Sequence, residues 1–244
     1  MSAPVITTDP APGVRRKAAI PGSRPALPPL QSGDRLTRRE FERRYEAMPT
    51  VKQAELIEGV VFMSSPLFEA SHGQPQAHAL AWLGVYKAAT PGLRIADNTS
   101  LRLDNDNEYQ PDAILRIDER LGGRSRIAAD QYLEGAPELI FEVAASSASV
   151  DLYDKFRVYR RVGVQEYIVW QVYDQRINWW ELVDGEYAPL AVDEQGIVRS
   201  SVFPGLWLNV SAMLNDDLKA VLETLQQGIA SAEHAAFVTR LAAI

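Results

Sequence analysis

Cysteine is absent from all 244 residues of the chain. That excludes disulfides, zinc centres built on thiolates and thiol nucleophiles, and it suits a reducing compartment. Long apolar runs are absent as well. Nothing approaches the roughly 20 residues that span a bilayer, and the N-terminus lacks the apolar centre of a secretion signal. A cytoplasmic protein without a membrane partner is therefore expected. Basic excess is lacking too: 25 Lys and Arg stand against 32 Asp and Glu, a formal net charge of −7. Non-specific coating of nucleic acid requires the opposite sign. A site that holds a cation does not, because the metal inverts the local charge balance. No glycine-rich phosphate loop, Gly-x-Ser-x-Gly elbow or His-x-x-x-His pair occurs; His72 and His78 lack the i, i+4 spacing of a helical metal pair.

What is present divides the chain in three. Residues 1–31 are rich in proline, with Arg15, Arg16 and Lys17 among them, and read as a flexible, partly polyproline arm. Residues 32–214 carry the patterns of one compact domain, and 215–244 read as a helical extension interrupted near Gly228. A hydrophobic content of 46 % is enough for a sizeable core. Thr37-Arg38-Arg39-Glu40 has the form of a capping box ahead of a helix that Pro49 ends. Residues 54–57 and 60–63 flank Glu58-Gly59 as a hairpin. A helix is expected from about Ser71 to Ala89, stopped by Pro91-Gly92. Strands are expected at 93–97, 100–103, 110–117, 138–144, 166–172, 177–183 and 187–192, and a helix over 150–162 closed by Gly163. The order predicts an α/β (α+β) fold with a mixed central sheet flanked by helices.

Two polar residues interrupt strands that otherwise read as buried. Glu142 sits inside Leu139-Ile140-Phe141-Glu142-Val143-Ala144, and Asp112 follows Pro111 at the head of Ala113-Ile114-Leu115. A buried carboxylate needs a partner. Two that converge repel unless a proton or cation lies between them. Mg²⁺ suits such a pair, since it takes one or two carboxylates and keeps several waters. Asp151, Lys155 and Tyr159 share one face of the helix that follows the Glu142 strand. Lys155 is placed to orient a metal-bound water or to stabilise phosphoryl charge, while Arg157, Arg160 and Arg161 are candidates for phosphate contact. Each feature alone has a plainer reading: a buried ion pair for Glu142, an exposed salt bridge for Asp151 and Lys155.

Taken together and in order, these motifs resemble the Uma-two family of restriction endonucleases within the PD-(D/E)XK nuclease superfamily. The resemblance runs from about Ala54 to Leu214. It is carried by Glu55-Leu56-Ile57-Glu58-Gly59-Val60-Val61, Ser65-Pro66 with His72, Gln110-Pro111-Asp112, Glu142-Val143, Asp151 with Lys155 and Tyr159, and Gly163-Val164-Gln165-Glu166-Tyr167. It implies a restriction-endonuclease-like fold and a Mg²⁺- or Mn²⁺-dependent endonuclease acting on nucleic acid, with DNA the first expectation. Asp112, Glu142 and the Val143 carbonyl would bind the metal, Lys155 would act on the attacking water, and Glu55 would assist. His72, Gln110, Asp151, Tyr159, Arg157 and Arg160 are candidates to meet the substrate. The superfamily usually carries its lysine two residues after the strand glutamate. Ala144 stands there in this chain, and the resemblance transfers the role to Lys155. Cutting both strands of a duplex would favour a homodimer. The competing reading is a catalytically inactive nuclease fold that serves as a binding or regulatory module.

Overall fold

A computed structural model describes residues 27–63, 68–145 and 147–243. Most of the proline-rich arm, the Ser65-Pro66 motif and Ser146 lie outside these residues. The fold opens with α1 (Arg38–Glu46) and the hairpin β1 (Ala54–Ile57) and β2 (Val60–Met63). The hairpin is pinned by Glu58 and Gly59, whose φ values of 48° and 76° are both positive, as a tight primed turn requires. A π-helical turn, Glu69–Gly73, runs into α2 (Gln74–Ala89). There Ala79, Trp82, Leu83 and Tyr86 recur at helical spacing and are fully buried.

The next strands are β3 (Leu93–Ala96), β4 (Leu101–Arg102), β5 (Glu108–Tyr109) and β6 (Ala113–Ile117). The single strand expected over 110–117 is thus divided. Pro111 offers no N–H to a ladder, and the chain changes sheets there: β5 pairs with β1 and β4, β6 with β3. After the short strands β7 (Arg126–Ile127) and β8 (Leu133–Glu134), β9 (Leu139–Ala144) lies antiparallel beside β6. A second π-helical turn, Val150–Lys155, leads into α3 (Phe156–Val162). Gly163, at φ 88°, closes that helix as expected.

Then come β10 (Glu166–Gln171), β11 (Arg176–Val183), β12 (Glu186–Pro189), β13 (Ile197–Arg199) and β14 (Trp207–Asn209), followed by α4 (Val210–Leu214), α5 (Leu218–Ile229) and α6 (Ala232–Ala242). The main sheet has the order β12-β11-β10-β9-β6-β3, with β9 and β10 parallel; a second reads β2-β1-β5-β4-β8-β7. This is a mixed α/β architecture with large mixed sheets flanked by helices. Among the described residues no helix is long and apolar enough to cross a membrane.

Strand alternation separates two cores. Leu139, Phe141 and Val143 of β9 face α2, α5 and α6; Ile140 and Ala144 face α3 and the second sheet. Trp179 and Trp180 divide in the same way, Trp179 into the first core and Trp180 against Phe156 and Tyr167. Leu30, at the end of the proline-rich arm, is buried with Phe41, Leu56 and Val61.

Two local expectations are corrected. Thr37 occupies the N-cap of α1, but its side chain caps nothing, and Glu40 instead binds Arg43 and Arg44. The start of the helix expected from about Ser71 belongs to the π-helical turn Glu69–Gly73. The interruption expected near Gly228 is found at Ala230 and Ser231, between α5 and α6, and Gly228 itself is helical. It marks a close approach: a Cβ there would stand 2.2 Å from the Gly205 carbonyl oxygen.

Two buried carboxylates hold loops in place. Glu138 accepts from the N–H groups of Ile117 and Arg124. Glu166 accepts from Ser200 Oγ, the Ser201 and Val202 N–H groups and Trp179 Nε1, at 2.8–3.1 Å. Replacing Glu166 by Ala strands those donors, so a loss of about 3 kcal/mol in urea unfolding is expected; a loss below about 1 kcal/mol would show that the 200–202 loop does not depend on it.

Candidate functional site

The site forms where β6 and β9 run side by side. Asp112 has the parity of Ile114, and Glu142 that of Ile140, so both carboxylates leave the sheet on the α3 side. The sequence break at Pro111 puts Asp112 just ahead of β6, where its side chain replaces a ladder partner. Asp112 Oδ2 accepts from the Val143 N–H at 2.7 Å, and the Asp112 N–H points at Glu142 Oε2 at 3.4 Å. In an extended strand the N–H and C=O of one residue point to the same side. The Val143 carbonyl therefore faces the Asp112 side.

The π-helical turn before α3 brings the cation. Lys155 Nζ lies 3.0 Å from Glu142 Oε1, 3.1 Å from Glu55 Oε1 and 3.4 Å from Asp151 Oδ1. Tyr159 OH donates to the same Glu142 oxygen at 2.9 Å. Glu55 is fixed in turn by the Gln110 N–H at 2.8 Å, and Asp151 by Ser147 Oγ at 2.6 Å. The π-helical turn before α2 and the first turn of α2 supply the other side: His72 Nε2 lies 3.1 Å from Asp112 Oδ1, and Gln76 Nε2 donates to the Asp112 carbonyl at 3.1 Å.

Burial sets the electrostatics. It pushes Asp112 up to about 7, against the Val143 N–H and Lys155, which favour the charged form. It also pushes Glu142 well above the ordinary carboxylate value, with Lys155 opposing and the Asp151 and Asp112 charges adding to the rise. Burial works against the charge on Lys155 as well, but Glu142, Glu55 and Asp151 outweigh it and hold its pKa well above the usual lysine value. His72 is lowered by burial, with Asp151 opposing, so its ring is neutral near pH 7. Four carboxylates thus surround one ammonium group.

Above the cluster opens a cavity of about 320 Å³, lined by Glu55, His72, Asp112, Glu142, Asp151 and Lys155 together with Val143 and an apolar rim. Seven of the residues singled out in the sequence are therefore brought together. Tyr159 lies behind Glu142, outside the cavity lining. The Gln110 side chain turns away toward Tyr45 and Ser100. Arg157 and Arg160 are not at the cavity: Arg157 pairs with Asp154 and Glu58, Arg160 with Glu186, and Arg161 likewise with Glu58 and Asp104. Sequence reading missed Gln76 and Ser147. Gln76 falls four residues after His72, the one signal that would have found it; Ser147 gave none beyond its place in a serine-rich link.

Residues 38–211 match the model of the Uma2 family, described as "Putative restriction endonuclease". Among solved structures the chain is similar to a crystal structure described as "a putative nuclease belonging to DUF820 from Anabaena variabilis ATCC 29413". The TM-score is 0.50 at 13 % identity, covering 75 % of this chain and 97 % of that one, which speaks to the fold. No curated protein matches the chain. The family match runs from α1 to the start of α4 and contains every residue of the cluster, so the chain belongs to the Uma2 family of putative restriction endonucleases.

Proposed function

We propose that the chain is a divalent-metal-dependent endonuclease that hydrolyses phosphodiester bonds in DNA, with Mg²⁺ as its ion and Mn²⁺ as a substitute. The observation that carries this reading is the meeting of Asp112 and Glu142 across adjacent strands, with Lys155 held on Glu142. The donor set fits a hard cation. Among the described residues no group of three or more His, Asp and Glu side chains is spaced to hold an ion, but Mg²⁺ needs only one or two carboxylates, completed by carbonyl oxygen and water. Asp112, Glu142 and the Val143 carbonyl would supply these. The excess of buried negative charge favours a cation independently of geometry.

When bound, such an ion stabilises charge on phosphoryl oxygens and lowers the pKa of water. The side chains divide the remaining work. Asp112 is held at Oδ2 by the Val143 N–H, while neutral His72 adds a donor at Oδ1 without adding charge. Lys155 is kept protonated by its carboxylates, so it donates hydrogen bonds and cannot serve as the base. Its role is to orient the attacking water and to offset charge developing on the phosphate. Glu55 and Asp151, which line the cavity beside Lys155, are the side chains placed to receive a proton. The arginines of α3 would have to exchange carboxylate partners for phosphate. The homodimer expected from two-strand cutting stands or falls with a duplex substrate. One observation favours the inactive binding module instead: Glu142 Oε1 is engaged by both Lys155 Nζ and Tyr159 OH, at 3.0 and 2.9 Å.

Calorimetric titration of Mg²⁺ and Mn²⁺ decides between the two. Binding by the wild type that disappears in Asp112→Ala is expected. Heat absent from the wild type even at millimolar metal, with DNA added, would sink the metal-enzyme reading.

The pH dependence of stability follows from Asp112. Its folded pKa of about 7 lies above the ordinary value of 3.8, so the folded chain holds this proton more tightly than the unfolded one. That contribution is fully present at low pH and is lost as pH rises through about 7. Metal-free protein is expected to lose stability between about pH 4 and 7 on this account, and Asp112→Asn to flatten the slope. Urea midpoints across that range measure it; an unchanged slope in the variant would show that Asp112 does not carry the effect.

A further inference from the structure

Three elements raise apolar side chains around the mouth of the cavity. Phe68, at the entry to the first π-helical turn, is 69 % exposed, and Tyr173, in the turn between β10 and β11, is 68 % exposed. Phe62 and Met63 of β2 complete the rim. Large aromatic groups left in water beside a charged floor are unusual, because burying each would gain roughly 2–3 kcal/mol. Nothing in either core needs them there.

The charges around the same mouth are equally one-sided. Among the described residues Lys155 is the one lysine or arginine lining the cavity, and it is tied to three carboxylates. The nearby arginines of α3 are committed to Glu58, Asp104, Asp154 and Glu186. A duplex is held chiefly by cations on its phosphates, and among the described residues the cavity lining offers none that is free; Lys52 and Arg176, next in sequence to Gln53 and near Tyr173, are exposed outside it. Single strands are held differently: their unpaired bases present π-faces, and aromatic side chains stack on them. The cavity volume of about 320 Å³ is at the small end for ligand pockets and suits one nucleotide.

We propose that the rim formed by Phe68 and Tyr173 stacks an unpaired base, so that the site takes single-stranded DNA one nucleotide at a time, with the phosphate beside Asp112 and Glu142. This rests on the nuclease reading above and narrows its substrate. A single strand needs one copy of the site, so dimerisation is not required for cutting.

The test is fluorescence anisotropy with the full chain, using labelled oligodeoxythymidine and its duplex with oligodeoxyadenosine. Ca²⁺ replaces Mg²⁺ to suppress cleavage. The single strand is expected to bind about tenfold more tightly than the duplex, and the double variant Phe68→Ala, Tyr173→Ala to lose about tenfold or more for the single strand. Phe68→Trp and Tyr173→Phe should keep the wild-type affinity. Both positions are exposed, so folding is not at stake. Salt gives a second readout: raising it from about 50 to 200 mM should weaken the complex only a few fold, whereas six to ten phosphate contacts would cost about 10³–10⁵. A duplex bound as tightly as the single strand, or a double variant that binds normally, overturns the inference. If metal binding is still lost in Asp112→Ala, the nuclease reading survives that result. If the double variant instead dissociates a dimer while single-strand affinity is unchanged, the rim belongs to self-association. Wild type that binds neither metal nor either DNA removes both readings.

Discussion

The ammonium group of Lys155 is the charge around which the rest of the site is arranged. Four carboxylates, Glu55, Asp112, Glu142 and Asp151, are buried within one small volume, and three of them touch Lys155 directly. One positive charge cannot balance four negative ones in a low-dielectric setting. The balance must come from protons or from a further cation; burial raises the pKa values of Asp112 and Glu142, and the neighbouring carboxylates add to the rise. Glu138 and Glu166 are buried as deeply, yet each is satisfied by backbone N–H, hydroxyl or indole donors. The contrast separates carboxylates that hold structure from those left with charge to share.

The two π-helical turns deliver the side chains that meet this pair. Such turns carry a wider ring than an α-helix and often occur at functional positions. One leads into α2 and ends just after His72; the other leads into α3 and ends on Lys155. The two helices pack on opposite faces of the main sheet, so the carboxylates are gripped from both sides of the strand ends. His72 and Gln76 hold the side chain and carbonyl of Asp112, while Lys155 and Tyr159 hold one oxygen of Glu142.

Local chemistry made part of this legible in the sequence. The hairpin could be read because Glu58-Gly59 meets a strict turn requirement, and the end of α3 because Gly163 accepts a left-handed conformation. A carboxylate inside an apolar strand marked Glu142 as a residue in need of a partner, and Lys155 stands with Asp151 and Tyr159 on one face of the helix that follows. The remainder depended on contacts distant in sequence. Strands of two residues, such as β4, β5, β7 and β8, are too short to show any alternation. The change of sheet at Pro111 was visible only as a proline. π-Helical turns of five or six residues are too short to show a period of their own. The arginines of α3 looked available because their partners Glu58, Asp104 and Glu186 lie far away along the chain.

The position of the lysine has a packing explanation. Ala144 stands two residues after Glu142 and so points to the same face of β9. It is 1 % exposed, packed in the core that holds Val158 and Tyr159 of α3. A lysine there would drive a long charged chain into the helix, costing steric strain and desolvation together. α3 covers this face, and the π-helical turn at its start stands over the end of the strand. From there a side chain reaches Glu142 without crossing the core. The ammonium group can come from the helix because what the carboxylates require is a charge at one point in space; the backbone segment that delivers it is free to differ so long as Ala144 leaves room for α3 to close over the sheet.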